Sequence, residues 1–287
     1  MGHRPRRGPP PGPPAELSRG WRGYGAGIAR LFVTGLGGYL GSELARRAPA
    51  AGWDVEGIAG SAQLDIRDGP AVLAAVRAAR PGVVVHTAYR MDDPSVNVDG
   101  TRAVAAAAVA TGARLVHVSS DLVFAGSGSR PLTEDDEPAP VTAYGASKLA
   151  AERACPPGAL VVRTSLLYGG ERPSTHEQAA IEAADGVREM TFFTDEVRCP
   201  IAVGDLAAAI LELAPAEVAG PLHVAGPDAL TRLEFARLVV ARHGRDPRAL
   251  RGGPGGPDRP KYVVLDSSRA QALLHLRLRG ARAVLAR

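Results

Sequence analysis

Three side chains of this sequence have the types and order that carbonyl chemistry asks for: Ser120, Tyr144 and Lys148. Reducing a ketone needs a proton donor at the carbonyl oxygen. A phenol can serve, and a nearby cation draws its pKa down from near 10 towards the working pH. Tyr144-Gly-Ala-Ser-Lys148 sets phenol and ammonium four residues apart, which on a helix is one face, and Thr142 is a fitting N-cap for that helix. Lys148 is then the cation that lowers the Tyr144 pKa. Ser120, at the end of an apolar run, is the donor that polarises the carbonyl.

Such chemistry needs a hydride source, and Leu31-Phe-Val-Thr-Gly-Leu-Gly-Gly-Tyr-Leu-Gly41 predicts a place for one. Leu31, Phe32 and Val33 read as a buried parallel strand, Gly35, Gly38 and Gly41 recur every third residue, and residues 42–47 read as helix. A Gly-x-Gly-x-x-Gly reading fails at Leu40, whereas Thr34-Gly-x-x-Gly-x-x-Gly41 fits throughout. Glycines let a pyrophosphate approach the main chain, and the helix N-terminus can hold it. Lys148 can also hold the ribose of a nicotinamide dinucleotide. The second strand, residues 53–58, ends in Ile58-Ala-Gly-Ser-Ala62 with no Asp or Glu for a ribose 2′-hydroxyl and no Arg for a 2′-phosphate. The missing carboxylate favours NADP(H) over NAD(H).

The elements that must position these groups follow in order. Residues 70–80 read as an amphipathic helix, 81–88 as a buried strand, 96–111 as an alanine-rich helix opening with Asn97-Val-Asp-Gly-Thr101, and 114–120 as a strand. Alternation of this kind predicts an α/β fold, a Rossmann-type doubly wound parallel sheet with right-handed crossovers. Ligands of such sheets bind beyond the carboxyl ends of the strands, which is where Ser120 falls. His86, inside an apolar run, reads as a core histidine. After Tyr168 the alternation loosens. A helix opens at His176, residues 191–195 are strand or loop, helices are expected at 203–210 and 233–242, a strand at 222–226, and residues 261–265 precede a last basic helix read as a solvated face. The division expected is a disordered Pro/Arg-rich tail at 1–28, a dinucleotide domain at 29–165 that regains a stretch near 195–215, and a smaller, discontinuous C-terminal substrate-binding lobe, mainly 166–287.

Composition narrows the function classes. The net charge of +4 contains a surplus of five from residues 1–30, which leaves −1 for the remaining chain; nucleic-acid binding by the folded part has no electrostatic support. Cys155 and Cys199 stand far apart without a second ligand nearby, so neither a disulfide nor a metal site is expected. No stretch is long and apolar enough for a membrane span. Arg6-Arg7 is followed by Gly and Pro rather than an apolar segment, so the expectation is a cytoplasmic protein acting on a small molecule, with a homodimer left open.

From about residue 30 onward the chain resembles the dTDP-4-dehydrorhamnose reductase branch of the extended short-chain dehydrogenases/reductases. The matching stretches are 33–41, Val118-Ser-Ser-Asp-Leu-Val-Phe124, 144–148, Val162-Arg-Thr-Ser-Leu-Leu-Tyr-Gly169 and 193–206. The resemblance implies catalytic roles for Ser120, Tyr144 and Lys148. It implies dinucleotide contacts at Gly35, Gly38, Tyr39, Leu40, Gly41, Asp65 and Ile66 (beside the adenine), Thr87, Ala88, Tyr144 and Lys148. Asp121, His176 and Arg198 are implied on the substrate side, with Arg198 positioned to pair with a diphosphate. The implied substrate is a nucleotide sugar with a ketone at the hexose 4-position. Leu122 and Leu166 replace an aromatic residue and a tryptophan usual in that branch, and Leu122 also departs from the Asp-Glu pair of 4,6-dehydratases. Two alternatives stay open: a non-catalytic NADP-binding regulatory subunit like that of methionine adenosyltransferase, and a reductase of another ketone, such as a steroid or flavonoid.

Overall fold

The computed structural model describes residues 29–286, so the expected tail at 1–28 lies outside the described residues. From β1 (Ala29–Thr34) the chain alternates through α1 (Tyr39–Arg47), β2 (Trp53–Ile58), α2 (Gly69–Ala79), β3 (Val83–His86), α3 (Pro94–Thr111), β4 (Arg114–Val118), α4 (Ala143–Arg153) and β5 (Leu160–Arg163). Shorter elements follow: β6 (Leu167–Tyr168), α5 (Thr175–Ala184), β7 (Thr191–Phe193), β8 (Val197–Arg198), β9 (Ile201–Ala202) and α6 (Val203–Leu213). The chain ends with β10 (Gly220–His223), β11 (Leu230–Thr231), α7 (Arg232–Arg242), β12 (Arg251–Gly253), α8 (Ser268–Leu273) and α9 (Ala281–Leu285). Six strands pair in parallel in the order β2-β1-β3-β4-β5-β10, the Rossmann-type arrangement read from the alternation. The order reverses between β1 and β3, which opens a crevice at their carboxyl ends.

Both faces of the sheet are covered, and this is why the central strands β1, β3 and β5 are largely continuous apolar runs, whereas edge strand β2 carries exposed Asp54 and Glu56. Leu31 and Val33 of β1 pack with Leu44 of α1 and with Leu206 and Ile210 of α6. Phe32, between them, faces Val72 and Val76 of α2 and Val104 and Ala108 of α3. A second apolar cluster gathers segments after residue 165: Leu166, Tyr168, Ile181, Phe192, Leu230, Phe235 and Val239.

The structure refines the sequence reading in the C-terminal part of the chain. Residues 220–223, expected in the lobe, instead join the main sheet against β5, with Pro221 opposite Val161. Proline is tolerated there because β10 is an edge strand with one unpaired side. Residues 261–265 make single bridges, Tyr262 to Val197 and Leu265 to Leu132. The last basic helix is two short ones, with Arg269 and Arg282 exposed to solvent, and the exposed Arg279 between them binds Asp205 of α6 at 2.6 Å. Cys155 and Cys199 are free thiols. Among the described residues no His/Cys/Asp/Glu group could hold a metal, and no helix is long and apolar enough to cross a membrane.

Candidate active site

β1 runs straight into the glycine loop. Gly35 has a φ of 77°, and the Gly35 and Leu36 amides both donate to the Ile58 carbonyl at 2.9 Å. A Cβ on Gly41 would stand 2.0 Å from the Gly35 carbonyl oxygen, so any side chain there forces the turn open. Gly37 and Gly38 are exposed, and Gly38, the N-cap of α1, is joined by no capping side chain. First-turn amides have no partner within their own helix, so those of α1 are left for an anion. This cradle fits a dinucleotide pyrophosphate.

The other implied contacts surround the cradle. Thr87 closes the crevice on the β3 side, its hydroxyl donating to the Thr34 carbonyl at 2.7 Å, with Ala88 against Gly35. Leu40 is buried, and the Tyr39 hydroxyl turns away to Glu177 and Gly170, so both residues can offer an anion their backbone amides. Asp65 pairs with Arg67 at 2.6 Å, which holds its pKa down at about 2. Ile66 is a core residue beneath α3, where a Cβ on Gly100 would stand 2.5 Å from it.

The opening of α3 positions α4. Asn97 is buried, its amide nitrogen donating to the Ser147 hydroxyl of α4 at 2.9 Å and to the Arg90 carbonyl at 2.8 Å. Thr101 meets His86 Nε2 at 3.0 Å, and His86 Nδ1 lies 2.6 Å from the Thr34 hydroxyl. His86 is therefore a satisfied core histidine, pushed down to about 3 by burial and then by the Lys148 charge. Thr142 caps α4 by accepting the Gly145 amide at 3.0 Å.

On that helix the Tyr144 ring packs against Tyr89, centroids 5.8 Å apart. Burial, followed by Tyr89 and Asp121, pushes the phenol pKa well up, while the adjacent Ser120 hydroxyl and Arg198 oppose the rise. Ser120 and Tyr144 are thus brought together, and the phenol keeps its proton at neutral pH. Lys148 is arranged differently from the sequence expectation. Its buried Nζ donates to the Val118 carbonyl at 2.7 Å and faces His117 Nε2 at 3.5 Å, and the cation drawing Tyr144 down is Arg198. Burial pushes Lys148 down to about 8.

Asp121 and Arg198 are both buried and joined by two hydrogen bonds, Nε to Oδ2 at 2.8 Å and Nη2 to Oδ1. The Arg198 charge is therefore taken up inside the protein, not held free for a diphosphate as the resemblance implied. Buried Glu196 gathers Arg198 at 3.4 Å, Arg232 at 3.4 Å and Arg259 at 2.7 Å. Arg259 also stacks on Phe193 at 4.6 Å. His176 accepts from Arg232 at 3.3 Å and stays neutral, pushed down to about 3 by burial and the two arginines Arg232 and Arg198. Three guanidiniums face two carboxylates, and burial with Arg198 pushes Arg232 down to about 10. The cluster is suited to an anion. Leu122 is half-buried beside Asp121, whereas Leu166 is 6% exposed in the lobe core. Sequence reasoning missed Tyr89, Glu196, Arg232 and Arg259, which are far apart in the chain and share no spacing. A Thr231-x-x-Glu234 capping box was legible there and would have placed Arg232 at a helix start.

Comparison with known proteins identifies relatives over the whole described chain. The family model described as RmlD substrate binding domain matches residues 29–287. The dTDP-4-dehydrorhamnose reductase of Mycobacterium tuberculosis is 38% identical over 282 residues, covering 90% of this chain and 91% of that protein. That of Mycolicibacterium smegmatis is 36% identical over 263 residues, covering 84% and 79%. The crystal structure of dTDP-4-dehydrorhamnose reductase from Bacillus anthracis in complex with NADP matches with a TM-score of 0.80 at 26% identity, covering 91% of this chain and 98% of that one.

Proposed function

The chain belongs to the RmlD substrate-binding-domain family of extended short-chain dehydrogenases/reductases, and from that premise we propose that it is an NAD(P)H-dependent oxidoreductase that reduces the 4-keto group of a nucleotide-linked sugar, dTDP-4-dehydrorhamnose or a close relative. The observation that carries the reading is a Ser120 hydroxyl beside a Tyr144 phenol held protonated by burial, at the carboxyl end of the sheet that bears the glycine cradle.

With its pyrophosphate held at the cradle, a reduced nicotinamide dinucleotide would supply the hydride for the carbonyl carbon. The residues of the chain handle the oxygen. Ser120 donates a hydrogen bond that polarises the ketone, and Tyr144 delivers its proton as negative charge grows there. Arg198, fixed by Asp121, stabilises the phenolate left behind, and Lys148 orients the ribose. On the substrate side Arg232 and Arg259 pair with the diphosphate, next to neutral His176. NADPH is the preferred donor, because no carboxylate stands at the end of β2 to repel a 2′-phosphate.

Calorimetric titration with NADPH and NADH, repeated with dTDP present, tests this. Dinucleotide binding that tightens with dTDP supports a nucleotide-sugar reductase. Binding indifferent to dTDP removes the nucleotide sugar and leaves another ketone or a regulatory role.

A further inference from the structure

The glycine loop is buttressed from across the molecule. Residues 169–177, which run from the end of β6 into the first turn of α5, are fastened to the start of α1: the Tyr39 hydroxyl accepts the Gly170 amide at 2.8 Å and donates to Glu177 at 3.2 Å. Glu177 in turn accepts the Gly169 amide at 3.0 Å and the Ser174 amide at 2.8 Å, and Glu171 faces Arg46 at 3.5 Å. This strap delivers Arg172 to the loop, where Nη2 lies 3.5 Å from the Gly37 carbonyl. Gly37 donates to the carbonyl of Ala59, the residue that follows β2, at 3.1 Å. Arg172 therefore stands at the corner between the loop and the end of β2, where dinucleotide folds receive the 2′ position of the adenosine ribose.

Arg67, the first arginine after β2, is committed to Asp65 at 2.6 Å and Asp93 at 3.2 Å. Arg172 is exposed and joined to no carboxylate among the described residues. Its neighbour Glu171 is turned to Arg46. A guanidinium so placed matches a phosphate by two parallel N–H donors. Resting on the reading that the protein binds a nicotinamide dinucleotide, we propose that Arg172 is the residue that holds the 2′-phosphate of NADP(H), so that the substrate-side strap supplies the cation that β2 lacks. Discrimination between NADPH and NADH then lies outside the first 165 residues, in a segment already locked to the loop by Tyr39.

Direct titration of the full chain with NADPH and with NADH, in the original protein and in Arg172→Ala and Arg172→Lys, tests the assignment. Arg172→Ala is expected to weaken NADPH binding by about 10- to 100-fold, the scale of a lost charge-assisted hydrogen bond, and to leave the NADH Kd unchanged within about twofold. Arg172→Lys falls between, because an ammonium keeps the charge without the fork. Equal losses for both dinucleotides, or no loss for NADPH, overturn the assignment while the dinucleotide reading stands. Failure of the original protein to bind either dinucleotide overturns both.

Discussion

Tyr144 is an acid by environment. Burial and the neighbouring Tyr89 and Asp121 keep its proton on, and Ser120 and Arg198 bear on the phenol from the other side. The Asp121–Arg198 pair therefore does two jobs, neutralising two buried charges and placing a cation by the phenol. Arg198→Met should strand the Asp121 carboxylate, which is 0% exposed. The expected cost is about 3–5 kcal/mol, read as a lower denaturant midpoint with unchanged m-value; a midpoint like that of the original protein would contradict the pairing. At this scale Ser120, Tyr144 and Lys148 were legible because a strand end and one helical turn leave a local spacing in the sequence. The lysine's partner was not, since Val118 carbonyl and His117 lie on a different element. Arg232, Arg259 and Glu196 meet across three separate segments and leave no spacing to read.

Elements set the precision of the site. α4 begins where Thr142 accepts the Gly145 amide, so Thr142→Ala should cost about 1 kcal/mol of stability, measured by chemical denaturation. A kcat loss larger than the KM change would accompany it, because the same cap aims Tyr144. In the glycine loop, Gly41→Val would drive a side chain into the Gly35 carbonyl. Dinucleotide affinity should then fall before global stability does, and an unchanged NADPH Kd would remove the loop from its assigned role. The alternation of long elements was plain in the sequence because the central strands β1, β3 and β5 are apolar runs buried on both faces. β10 was legible as a short strand at 222–226 but not as part of the main sheet, because nothing local in Gly220-Pro-Leu-His223 says which sheet it joins, and its place at a sheet edge is what makes the proline acceptable. The strap at 169–177 escaped for a related reason: its bonds run to Tyr39, more than a hundred residues away.

For the whole molecule, buried neutral histidines tie stability to pH. His86 is held down at about 3 against an ordinary value of 6.5, so from pH 6.5 downward the unfolded chain takes up a proton that the native protein refuses. Stability must therefore fall as pH falls through that window. By pH 4.5 the loss from His86 alone is about 3 kcal/mol, and His117 and His176 act with the same sign. Urea midpoints at pH 7 and pH 4.5 check this, and equal midpoints would contradict it. The same molecule joins a dinucleotide cradle, an acid kept protonated and an arginine cluster on one side of a parallel sheet, and these parts matter only if they act in one turnover. The most direct test follows the absorbance of NADPH after addition of dTDP-4-dehydrorhamnose, with the original protein and with Tyr144→Phe. The account predicts one NADPH consumed per sugar, and a rate lower by on the order of a thousandfold in the variant with its NADPH Kd unchanged. An original protein that binds NADPH yet consumes none, or a variant that turns over at the same rate, would contradict it.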